Sequence, residues 1–135
     1  MVGSPFYIAP EVLAGGYNEA ADVWSAGVIL YILLSGIPPF WGKTKSKIFE
    51  CIRSTELRFP SDPWDKVSDS AKELITEMLR RDPRQRLTAK QVLGETRPQS
   101  FQKPHTFNFL SLFYITSIIL RTWNCLFFFK MENAH

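Results

Sequence analysis

Gly3-Ser4-Pro5-Phe6-Tyr7-Ile8-Ala9-Pro10-Glu11 opens the chain, and it is followed in order by Asp22-Val23-Trp24-Ser25 and Asp82-Pro83-Arg84-Gln85-Arg86. Working outward, residues 1–18 are rich in Gly, Pro and small polar residues and read as a loop with one short turn around Pro10–Leu13. From Glu19 to Ser35 the sequence is almost continuously apolar on every side of a helical wheel, which predicts a helix buried on most of its circumference. Gly36 supplies the stop and Pro38-Pro39 prevents continuation. Residues 44–54 predict a short basic amphipathic helix with Ile48, Phe49 and Ile52 on one side. Phe59-Pro60 and Asp62-Pro63-Trp64 mark a further loop. Ser68 starts a helix over 69–81, in which Ala71, Leu74, Ile75, Met78 and Leu79 recur at three- and four-residue steps. Thr88 and Gln91 stand at capping-box spacing ahead of a last short helix through Val92 and Leu93. The pattern is mainly α.

At 135 residues the chain has the length of one ordinary domain. Its net charge of +3 is unevenly placed: residues 1–95 hold 12 Lys/Arg and 12 Asp/Glu, whereas residues 96–135 hold 4 against 1. A neutral, mixed-sign body gives no field to draw in nucleic acid or an anionic membrane, so neither is an expected partner. Cys51 and Cys125 lie far apart without neighbouring ligands at metal spacing and read as reduced thiols. The N-terminus lacks a basic stretch followed by an apolar run, which points to an intracellular setting, cytoplasmic or nuclear.

The three ordered motifs resemble the C-terminal lobe of serine/threonine protein kinases over about residues 2–93. They are most similar to the calcium/calmodulin-dependent group, plant calcium-dependent and phosphoenolpyruvate-carboxylase-kinase-related kinases included. The resemblance implies a partial kinase-like helical lobe, without the N-terminal β lobe and the catalytic loop, over 1–93. A divergent hydrophobic tail over 94–135 completes the expected domain division.

The resemblance also assigns residues. Gly3, Ser4, Pro5 and Tyr7 would belong to the floor under the substrate residue that follows the phosphoacceptor, with Ser4 contacting the catalytic loop. Read alone, Ser4-Pro5 is a turn; the surrounding nine-residue match favours the floor. Glu11 and Arg86 would pair as a buried salt bridge tying that segment to the helical lobe, a role that suits the planar fork of Arg. The alternative is two independent surface charges. Asp22 would accept backbone N–H bonds from the catalytic loop and, in residues 1–135, lacks those partners; placement near a helix N-terminus is the simpler reading. Trp24 would pack within the same lobe. Lys43, Lys45 and Lys47 read as a solvated face.

Residues 1–135 contain no glycine-rich phosphate loop, no His-Arg-Asp and no Asp-Phe-Gly. No catalytic residue, metal ligand or cofactor is therefore expected of the chain itself, although complete family members use ATP and Mg2+. The expected function is that of a truncated ATP-dependent Ser/Thr kinase, inactive alone, whose complete form phosphorylates protein hydroxyls. Protein substrates or kinase regulators are the expected partners, with a calcium or calmodulin link by analogy only. A noncatalytic module that competes for kinase partners is the alternative, and self-association through exposed apolar surface would argue against it.

After Gly94 the composition changes, with seven of the eleven Phe residues in 101–135. Thr106–Leu120 holds 15 uncharged residues, short of the ~20 a helix needs to span a bilayer. Extending to Phe129 would place Arg121 near the middle. Three readings stand in this order: altered splicing or gene prediction, a hydrophobic docking segment, and a weak membrane anchor over 106–129.

Overall fold

The computed structural model describes residues 5–94. A 3-10 turn, Pro5–Tyr7, leads into α1 (Pro10–Leu13), α2 (Glu19–Ser35), α3 (Lys45–Ser54), α4 (Ser61–Trp64), α5 (Asp69–Met78) and α6 (Ala89–Val92), with no strand among the described residues. The mainly helical expectation holds. The expectations for the 94–135 tail lie outside the described residues, apart from Gly94.

α2 is the axis of the fold. Asn18 caps it by accepting from the Ala21 amide, and Gly36 closes it in the left-handed region at φ 79°, where a side chain would be strained. Its all-round apolar sequence is used: Ala21, Val23, Trp24, Ala26, Gly27, Val28, Leu30 and Tyr31 are all buried. α5 packs against it, and Gly27 leaves no room for a side chain there, since an added Cβ would stand 2.9 Å from Met78 Cβ. Trp64 on α4 is fully buried and packs its ring on Tyr31 of α2 at 4.6 Å between centroids.

α3 buries Ile48 and Ile52, as its periodicity predicts, and packs against both the 3-10 turn and α1. Its C-terminal carbonyls are closed from a distance by Arg81, which donates to the backbone oxygens of Ile52 (2.8 Å), Cys51 (3.4 Å) and Thr55. This guanidinium also lies over the Phe40 ring at 5.7 Å.

Two boundaries differ from expectation. Residues 59–64 are loop only in part, because Ser61–Trp64 forms a short helical segment, interrupted at Asp62 (φ −102°, ψ 119°), that sinks Trp64 into the core. α5 ends at Met78 rather than Arg81: Leu79 leaves helical geometry at φ −101°, ψ 27°. The carbonyls released beyond it find a different donor, Arg86, whose Nε reaches the Arg80 oxygen at 2.8 Å. The Thr88–Gln91 capping box forms with both of its bonds, at 3.2 and 2.9 Å.

Candidate functional site

The first segment is fixed from three directions. Pro5 is buried. Ser25, on the second turn of α2, donates its hydroxyl to the Tyr7 carbonyl at 2.7 Å and thereby ties the 3-10 turn to the central helix. Phe6 stacks on Trp41 at 5.7 Å between centroids and 7° between planes, joining the same turn to the connection ahead of α3. Gly3 and Ser4 lie outside the described residues. Tyr7 stands beside Phe6 in the turn and is partly exposed.

Glu11 and Arg86 are brought together across 75 residues. Arg86 Nη1 donates to Glu11 Oε1 at 2.7 Å and Nη2 to Oε2 at 3.0 Å, the bidentate arrangement that a planar guanidinium permits. The Arg86 side chain is fully buried and that of Glu11 is 15% exposed. Three backbone oxygens occupy the remaining donors, those of Ala20 (2.7 Å), Arg80 (2.8 Å) and Arg81 (3.3 Å). One guanidinium therefore joins α1, the first turn of α2 and the chain after α5. Burial alone would raise the pKa of Glu11, but the hydrogen bond from Arg86, the bond from its own backbone amide and the guanidinium charge outweigh it, leaving the carboxyl below its ordinary value.

Trp24 completes this cluster. It has no exposed surface, stacks on Phe40 at 5.7 Å, and carries the Arg86 guanidinium 5.2 Å from its ring. A buried cation against an indole face gains more than an exposed one, so Trp24 supports the Arg86 charge as well as filling space.

Asp22 does not lack a partner. Its Oδ1 accepts the Tyr17 hydroxyl at 2.9 Å. Burial, that hydrogen bond and the Asp22 charge together push the Tyr17 phenol up. The sequence reading missed this contact, along with the Ser25–Tyr7 bond and the Arg81 clamp. The five-residue separation of Tyr17 and Asp22 was the one local signal available. Lys47 pairs with Glu50 at 2.8 Å, an exposed bond one helical turn long, while Lys43 and Lys45 are exposed.

No group of three or more His, Cys, Asp or Glu side chains able to hold a metal occurs among the described residues. The carboxylates of the site are directed instead to Arg86 and Tyr17. No helix among the described residues is long and apolar enough to cross a membrane.

A model of the protein kinase domain matches residues 1–96. Calcium-dependent protein kinase 1 of Arabidopsis thaliana is 61% identical over 93 residues, which is 69% of this chain and 15% of that protein. Calcium-dependent protein kinase 6 of Oryza sativa subsp. japonica is 61% identical over 93 residues, covering 17% of its length, and calcium-dependent protein kinase 2 of Zea mays is 57% identical, covering 18%. The chain thus spans under a fifth of these relatives. With the anchoring pair, the capped central helix and a domain match over 96 of 135 residues, the chain belongs to the protein kinase family.

Proposed function

We propose that residues 1–93 are the substrate-bearing part of the helical lobe of an ATP-dependent protein serine/threonine kinase, and that residues 94–135 form a separate tail. Gly3, Ser4, Pro5 and Tyr7 form the floor for the substrate residue next to the phosphoacceptor, and Glu11 and Arg86 hold that floor to the lobe. Asp22 and Trp24 organise the lobe without touching reacting atoms. The observation that carries this reading is the fully buried Arg86 bridging Glu11 to α2 and to the end of α5. A surface charge pair would not collect three backbone carbonyls as well.

In the complete protein, protein hydroxyls accept the terminal phosphoryl group of ATP with Mg2+ present, and the calcium-dependent relatives make a calcium-linked regulator the first candidate partner. Residues 1–135 alone perform no phosphotransfer, since positioning of the phosphates requires groups that these residues do not include. Two assays test the proposal. Purified 1–135 incubated with ATP, Mg2+ and a Ser peptide yields no phosphopeptide; turnover by this chain would overturn the inactive assignment. Residues 2–94 grafted over the matching segment of the Arabidopsis calcium-dependent protein kinase 1 retain kinase activity, and Arg86→Met removes most of it. An active graft indifferent to Arg86 would overturn the anchoring role.

A further inference from the structure

The last carbonyls of a helix have no partner within the helix, so the C-terminal end of α3 takes donors from outside it. Arg81 supplies them. Its guanidinium donates to the oxygens of Ile52 at 2.8 Å and Cys51 at 3.4 Å, and to that of Thr55, the residue that closes α3. No carboxylate lies within ion-pair distance of Arg81 among the described residues. Its charge is set instead against the negative end of the α3 dipole and the ring of Phe40. A cation committed to backbone oxygens fixes where a helix sits. Phe40, 2% exposed, carries the contact inward: it stacks on Trp24, Trp24 bears the Arg86 guanidinium, and Arg86 holds Glu11. α3 itself packs against the 3-10 turn and α1, the two elements that contain Tyr7 and Glu11. Arg81 thus reaches the first segment by two routes, through α3 and through Phe40 and Trp24.

We propose that Arg81 is a positioning residue for the substrate floor, which it steadies by gripping the end of α3. The word substrate rests on the kinase reading above; the coupling between Arg81 and the first segment does not. Arg81 touches no reacting group, so its loss loosens the surface on which a peptide rests and leaves the chemical step alone. Such a change raises KM and spares kcat.

Hydrogen exchange of the full 135-residue chain reads the coupling directly. The reporters are the amides of Val12 and Leu13, bonded to the Ala9 oxygen at 3.0 and 3.3 Å, and of Gly16, bonded to the Glu11 oxygen at 3.0 Å. Arg81→Met is expected to speed their exchange by about fivefold or more while residues 28–32 of α2 change by less than about twofold. Arg80→Met, which loses only the exposed pairing with Glu77, leaves the reporters unmoved. Arg81→Lys keeps the cation near Phe40 but not the fork that serves three carbonyls, so it gives an intermediate acceleration at the same amides. Unmoved reporters in Arg81→Met would overturn the proposal. If Arg81→Met speeds every segment alike, Arg81→Lys decides: selective acceleration at Val12, Leu13 and Gly16 upholds the coupling, and a uniform or absent effect overturns it. In the grafted kinase, Arg81→Met raises the peptide KM by about fivefold with kcat within about twofold. An active graft whose peptide KM ignores Arg81, or whose kcat alone falls, sinks the positioning role alone. Selective exchange at the reporters alongside an inactive parent graft sinks the kinase reading alone.

Discussion

Replacing Arg86 by Met keeps most of the side-chain volume over Trp24 and removes every donor at the anchor. Five hydrogen bonds are lost, two to the Glu11 carboxylate and three to the backbone oxygens of Ala20, Arg80 and Arg81. Removing one partner of a buried ion pair costs about 3–5 kcal/mol, mostly because the remaining charge is stranded. Glu11→Leu in the Arg86→Met background takes away that stranded charge and restores about 1–3 kcal/mol. It cannot restore the three carbonyls, each worth about 1 kcal/mol when left without a donor. The double variant therefore stays below the parent, and Arg86→Lys, with one compact ammonium for five acceptors, falls close to Arg86→Met. Urea unfolding of the full chain reads this directly, because Trp24 and Trp64 are fully buried and report loss of the core by fluorescence. At a slope of about 2 kcal/mol/M the Arg86→Met midpoint drops by about 2 M. A drop below about 0.3 M, or further destabilisation when Glu11→Leu is added, would refute the anchoring argument.

Three further outcomes follow from the same contacts. Because the Glu11 carboxyl is lowered when folded, its contribution is complete above the unfolded value near 4.5 and is lost as pH falls through the lowered folded value, so the stability gap between parent and Arg86→Met narrows in acid; a gap constant from pH 7 to 3 contradicts this. Gly27→Ala gains about 1 kcal/mol of helix propensity but sets a methyl 2.9 Å from Met78 Cβ and 3.0 Å from Leu79 Cδ2, a clash worth about 1–3 kcal/mol, so thermal melting should fall rather than rise. Thr88→Ala removes the side-chain half of the α6 capping box and costs about 1 kcal/mol in the urea midpoint analysis; an unchanged midpoint would show that α6 contributes nothing to global stability.

What the sequence made legible was whatever is written locally. The span of α2 follows from an apolar run closed by Gly36, and the α6 cap follows from two side chains three residues apart. The α5 boundary was not legible, because the carbonyls of Arg80 and Arg81, just past the helix end, are taken by Arg86, a donor that arrives from beyond Pro83. α4 was missed for a related reason: Asp62-Pro63 breaks the helical periodicity, while burial of Trp64 decides the conformation. At the site, the Glu11–Arg86 pairing came from family resemblance and not from any spacing rule. Tyr17–Asp22, Ser25–Tyr7 and the Arg81 clamp needed coordinates, since a phenol, a hydroxyl or a guanidinium in sequence does not name its acceptor.

The anchor also has a place in time. Closing a contact across 75 residues carries a large loop entropy, and the guanidinium has its full set of acceptors only after α1, the start of α2 and the end of α5 are already in position. Such a contact belongs to the native side of the folding barrier. Its loss should leave the refolding limb of a chevron almost unmoved and steepen the rate of escape from the native state, so that Arg86 governs how long the floor persists rather than how quickly it is first assembled.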